Sequence, residues 1–122
     1  MENKYTIFEE KCLELAVKVV ELKRILNKEQ HEYNMADQIQ RSGTAVGALQ
    51  KESLYAESDI DLIHKLRIAL KEASETKYWL DVLYQTEYID KLKYEEIRNL
   101  TEELIRMLTA SINTVRSKAI QS

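Results

Sequence analysis

Proline is absent from the whole chain, and the only two glycines, Gly43 and Gly47, stand four residues apart. Sheets and loop-rich folds need Pro and Gly to punctuate their turns. A chain of 122 residues without that punctuation, rich in Leu, Ala, Glu, Lys and Ile, reads as long helices. Hydrophobic residues make up 44% of it, enough to fill one core.

Apolar periodicity divides the chain into four helices. The first is predicted over about 7–26, with Phe8, Cys12, Leu15, Val19, Leu22 and Leu26 in one stripe and Thr6 with Glu9 as a capping box. The second spans about 35–52, with Met35, Ile39, Val46 and Leu49 in line, Ser42 in the gap, and Asn34 with Asp37 as a cap pair. The third spans about 59–86, opened by Ser58 and Asp61, with Leu62, Leu66, Ala69, Leu70, Ala73, Leu80 and Tyr84 as its stripe. The fourth spans about 91–118, capped by Asp90, with Ile97, Leu100, Leu104, Leu108, Ile112 and Val115 in line. Connections this short make sequential helices antiparallel neighbours. The predicted fold is therefore all-α: an antiparallel up-down-up-down four-helix bundle, one domain over residues 1–122.

Each glycine inside a helix costs about 1 kcal/mol against Ala. Spaced by four, Gly43 and Gly47 share a side, where a neighbouring backbone can approach closely. Close packing accounts for the pair better than ligand contact does.

One stripe per helix suffices for a four-helix core. The first helix has more: Leu13, Val17 and Val20 fall well off its main stripe. The third places Ile68, Trp79 and Val82 roughly opposite its Leu62–Leu66–Leu80 line. Such secondary lines mark partner surfaces, here a homo-oligomer interface, the alternative being a wide core stripe with Trp79 tucked under a helix end.

The formal net charge is -3, from 18 basic and 21 acidic residues, and no segment is strongly basic. Binding to a phosphate backbone needs clustered Lys and Arg. The nearest approach is Arg41, Lys51, Lys65, Arg67 and Lys71, which flank the connection between the second and third helices and form the candidate patch for an anionic partner.

Catalytic chemistry finds no foothold. Cys12 lies on the apolar stripe of the first helix as a small buried hydrophobe, without a base or an orienting group. His31 and Glu32 begin an H-E-x-x-H pattern, but Met35 stands where its second histidine belongs. Asp61 and His64 supply one Asp-x-x-His, whereas di-iron bundles need two such pairs and two further carboxylates. No Gly-rich phosphate loop occurs. Glu72, Glu75, Glu102 and Glu103 alternate with Lys71, Lys77, Arg98 and Arg106 as a solvated helix surface does. The expectation is no catalytic residue, no metal, no cofactor and no small-molecule substrate. No apolar run approaches the roughly 18 residues of a membrane span. The opening MENKYTIFEEKCLEL lacks the apolar stretch of a signal peptide, so a cytoplasmic protein is expected.

Three segments carry a family resemblance: RSGTAVGA at 41–48, ESDIDLIHKLRIALKEA at 57–73 and ETKYWLDVL at 75–83. Together they resemble the bacterial four helix bundle protein family, also called the intervening-sequence protein family after members encoded in insertions within large-subunit ribosomal RNA genes. The resemblance implies the up-down bundle derived above. It also implies a barrel-shaped homopentamer, as formed by the related accessory protein of diversity-generating retroelements, which is basic and associates with reverse transcriptase and nucleic acid. The family has no established catalytic residues, so none is carried over. Ala45 stands where the family often has Ser, and Leu49 where it often has Asn, removing a polar group near the end of the second helix. The function expected is that of a non-enzymatic oligomeric bundle associating with RNA or a nucleic-acid enzyme. The alternative is a protein-binding adaptor with no nucleic-acid contact.

Overall fold

The computed structural model describes residues 4–121. Four helices follow one another: α1 (Lys4–Gln30), α2 (Asn34–Ser53), α3 (Asp59–Gln85) and α4 (Lys91–Gln121). Among the described residues there is no strand, and the chain is an all-α bundle. Neighbouring contacts run α1 to α2, α2 to α3 and α3 to α4, with α4 returning more sparsely to α1. The backbones of α1 and α3 do not approach closely; the two helices occupy diagonal corners and run in the same direction.

The four predicted stripes turn inward. Leu15, Val19, Leu22 and Leu26 of α1 meet Ile39 and Val46 of α2, Leu66, Leu80 and Leu83 of α3, and Leu104, Leu108 and Ile112 of α4 in one buried cluster. Burying one such aliphatic side chain contributes about 1.5–3 kcal/mol, so the cluster dominates the stability of the fold.

Helix ends show where local chemistry acts. Ser58 caps α3, its Oγ accepting from the Asp61 amide at 3.0 Å, while the Asp61 carboxylate reaches back to the Glu57 amide at 3.2 Å. Asp90 accepts from the Lys93 amide at 2.8 Å and opens α4. At α2 the expected Asn34–Asp37 pair plays no such part. Tyr33 is the cap residue without a side-chain bond, and the Glu32 carboxylate accepts from the Met35 amide at 2.6 Å instead. Thr6 lies within α1, so Thr6 and Glu9 do not mark its beginning.

α1 and α3 both stop at residues in left-handed conformation, His31 with φ 54° and Glu87 with φ 65°. After α3 the amides of Glu87 and Tyr88 return to the carbonyls of Tyr84 and Leu83, at 3.0 and 2.9 Å. That is the pairing by which a helix usually closes on glycine. Here a non-glycine residue holds the position, and α1 runs four residues past the apolar stripe that ends at Leu26.

Candidate functional site

The seams between helices use different chemistry. Between α1 and α2 the two glycines remove side chains altogether. A Cβ on Gly43 would stand 2.7 and 2.8 Å from the two γ-methyls of Val19, and one on Gly47 would stand 3.3 Å from Cβ of Cys12. The contacts at Gly43 are shorter than real Cβ atoms make, so the α1–α2 approach depends on glycine there; the one at Gly47 is tight but within the range that real contacts reach.

Between α2 and α3 a polar pair is sealed in the core. Thr76 and Ser42 are both fully buried, their hydroxyl oxygens 2.8 Å apart, and Thr76 Oγ1 also lies 2.9 Å from the Glu72 carbonyl. Burying hydroxyls is tolerated because each finds a partner. On the outside of the same seam, Arg41 bridges Glu72 at 3.2 Å and Glu75, whose other contact is Trp79 Nε1 at 3.4 Å. The Arg41 guanidinium holds the Glu75 carboxyl below its ordinary value.

Between α3 and α4 the Tyr94 hydroxyl donates to Asp81 at 2.6 Å and its ring stacks on Tyr84 at 4.3 Å. Glu102 takes Lys77 at 3.1 Å and Arg98 at 3.0 Å, and its carboxyl is lowered, chiefly by the bond from Lys77. Between α1 and α4 the contact is ionic. Lys11 meets Glu103 at 3.0 Å, and Lys18 meets Glu96, which that bond holds below its usual value.

These pairings redistribute the residues singled out from the sequence. Of the five basic residues, Arg41 is engaged with Glu72 and Glu75, Lys51 lies 3.8 Å from Glu9, and Lys65 lies 3.9 Å from Glu52. Arg67 and Lys71 are exposed and form no ion pair among the described residues. The five do not converge, because each of the first three faces a carboxylate across its own seam.

The secondary apolar lines also separate. On α1, Leu13 is 66% and Val17 47% exposed, with Val20 half-buried beside them. On α3, Ile68, Trp79 and Val82 are all half-buried, and Trp79 packs against the core cluster and edge-on to Tyr78 at 5.2 Å. They are thus not opposite the α3 stripe, as the sequence suggested, but on its half-buried flanks. The side of α3 that faces fully outward carries Ile60, His64, Arg67, Lys71, Ser74 and Tyr78, all exposed. The hydrophobic stripe does not reveal this line, because four of its six members are polar.

Cys12 is 2% exposed, and burial, with Glu9 nearby, pushes its thiol up to about 12, so it stays protonated and inert. His31 approaches the Tyr33 hydroxyl at 3.4 Å, and His64 is exposed while the Asp61 carboxylate accepts from the Glu57 amide. Among the described residues no three His, Cys, Asp or Glu side chains converge as metal ligands would. A cavity of about 410 Å³ opens where α2 gives way to α3, walled by Phe8, Leu62, Leu66 and Val115 beside Gln50 and Ser53. The Ser53 hydroxyl donates into its own helix, to the Gln50 carbonyl at 2.6 Å. No described helix is long and apolar enough to cross a membrane.

Compared with known proteins, residues 5–110 match the family model described as 23S rRNA-intervening sequence protein. A solved structure from Bacteroides thetaiotaomicron, a protein of unknown function from the S23 ribosomal protein family, is 46% identical to this chain. It superposes with a TM-score of 0.88 over 91% of this chain and 99% of its own. No curated protein matches.

Proposed function

The chain belongs to the 23S rRNA-intervening sequence protein family, and from that premise we propose that it works as a non-enzymatic, self-associating bundle, a subunit of a larger homo-oligomer. The observation that carries this reading is the outward face of α1. Leu13 and Val17 stand in water, a turn apart, on a helix whose core stripe is already complete without them. A single exposed Leu means little, but an apolar pair on a bundle with a full core is what an interface covers. Five copies is the number that resemblance to pentameric relatives implies. The inert thiol, the capped Asp61 and the hydroxyls turned back into their own helices support a role without chemistry.

Light scattering on the full chain tests this reading: a mass several times that of one chain is expected, and a monomer at micromolar concentration would contradict it. Association with RNA is the second reading, favoured by Arg67 and Lys71, which are exposed and form no ion pair among the described residues. Titration with a ribosomal RNA fragment checks it. Affinity falling steeply as salt rises supports contact with phosphates, and absence of binding at low salt leaves a protein-binding adaptor.

A further inference from the structure

We propose that the cavity at the end of the bundle binds a small uncharged amide with an apolar body, held by the side chain of Gln50. The cavity encloses about 410 Å³ and all four helices wall it: Phe8 of α1, Gln50 and Ser53 of α2, Leu62 and Leu66 of α3, and Val115 of α4. Small-molecule sites occupy about 300–1,000 Å³, a range that includes this one. Every wall comes from one chain, so binding here goes beyond self-association and needs no second copy.

Gln50 is the residue that points to a ligand. On α2 it continues the inward line of Ile39 and Val46, where another aliphatic side chain would simply extend the core. It is 3% exposed, yet its carboxamide forms no hydrogen bond to any described residue. The other buried polar side chains among the described residues all have partners. The hydroxyls of Ser42 and Thr76 lie 2.8 Å apart, Ser53 donates to the Gln50 carbonyl at 2.6 Å, and Thr101 donates to the Ile97 carbonyl at 2.7 Å. Buried polar groups are hydrogen-bonded as a rule, because leaving one unmade forfeits the water it gave up. The carboxamide is not sealed in protein as Asn27 Oδ1 is, so the space beside it can supply the missing partner. Gln50 also borders a more open groove next to Cys12 and Gly47, but its place on the inward line of α2 turns it to the cavity.

A carboxamide presents an N–H donor and a C=O acceptor side by side. Its full complement is a group with an acceptor and a donor side by side, and the edge of an amide closes both bonds at once. The charged residues that reach the cavity, Asp59 and Lys118, are exposed at its rim. A carboxylate or ammonium group set against Gln50 would lose its water without gaining an opposite charge. The head of the ligand is therefore uncharged. Phe8, Leu62, Leu66 and Val115 favour an apolar body behind it.

Benzamide, toluene, benzoate and uracil test the assignment when each is titrated into the full chain and followed by backbone and side-chain amide resonances. Benzamide is expected to bind saturably, shifting the Gln50 side-chain NH2 pair together with the backbone amides of Phe8, Leu62 and Val115. Gln50→Leu replaces the carboxamide by an apolar group of similar size. That variant is expected to keep native helicity and to bind benzamide about tenfold more weakly, as loss of one or two neutral hydrogen bonds requires, while holding toluene at least as well as the native chain does. Benzoate, which is charged, and uracil, which carries an amide edge on a polar ring, are expected to bind the native chain more weakly than benzamide. Val115→Trp fills the cavity from α4 and leaves Gln50 in place, and it is expected to abolish benzamide binding. Ser111→Trp, on the same wall, repeats that block at a second half-buried position. Benzamide that leaves the Gln50 NH2 pair unshifted would overturn the proposal. So would equal binding to the native chain and Gln50→Leu, undiminished binding to both Trp variants, or tighter binding of benzoate or uracil than of benzamide.

Discussion

A methyl group at position 43 would overlap Val19. The side chain in its way is β-branched and fixed in a packed core, so relief requires the two helices to part. Overpacking of this kind typically costs 1–3 kcal/mol, against which Ala regains about 1 kcal/mol of helix propensity. Gly43→Ala is therefore expected to destabilise the fold by about 1 kcal/mol, read as a lower denaturation midpoint in urea. Gly47→Ala meets only a 3.3 Å contact with Cys12 and is expected to fall within about 0.5 kcal/mol of the native chain. The spacing of the two glycines, in a chain otherwise almost free of breakers, made close packing legible from sequence; the difference between the two positions was not, because it depends on which α1 residue lies opposite. Glu87 is the reverse case. Its left-handed φ of 65° carries no sequence signal, since glycine is the residue that normally announces it. Glu87→Gly is expected to stabilise by a few tenths of a kcal/mol up to about 1 kcal/mol in the same measurement, relieving backbone strain at the end of α3.

Each helix was visible as an apolar stripe, and each stripe points into the core as its spacing required. The ends were legible only where a side chain acts alone. Ser58 and Asp90 were read correctly, while the α2 cap passed to Glu32, whose carboxylate reaches the Met35 amide from outside the helix. Pairings between helices were not legible, because they depend on which faces meet. The Ser42–Thr76 contact joins residues that neither periodicity nor motif connects. Removing one partner leaves the other short of a buried hydrogen bond, so Thr76→Val is expected to cost about 1 kcal/mol and to loosen α2 against α3, seen as faster amide exchange in α2.

The ion pairs along the seams add a pH dependence whose sign follows from their carboxylates. Glu75, Glu96 and Glu102 titrate below their ordinary value of 4.5 in the folded chain because Arg41, Lys18 and Lys77 stabilise the charged form. Their contribution is present above pH 4.5 and is lost as pH falls through the lowered values. Urea midpoints are expected to drop below pH 4.5, and the triple substitution of these glutamates by Gln to flatten that drop. All three carboxylates are largely solvent-screened, so the effect is modest.

At the scale of the whole molecule, charge and hydrophobicity divide between diagonal corners. α1 offers Leu13 and Val17 among Glu14 and Glu21, and α3 offers Arg67 and Lys71 beside Tyr78. Of the spare apolar residues read on α1, Leu13 and Val17 stand exposed and Val20 is half-buried, while Ile7 and Ile25, outside that line, are exposed as well. The α3 side was misjudged in detail: Trp79 drew notice as the only Trp, yet it packs on the core, and the outward line is mostly polar.

The most direct test of a self-associating bundle is the solution mass of the full chain beside its Leu13→Glu, Val17→Glu variant. The account predicts a multiple of the chain mass for the native protein and a folded, fully helical monomer for the variant, whose substitutions touch only exposed positions. A native monomer, or a variant that remains the same oligomer, would contradict it.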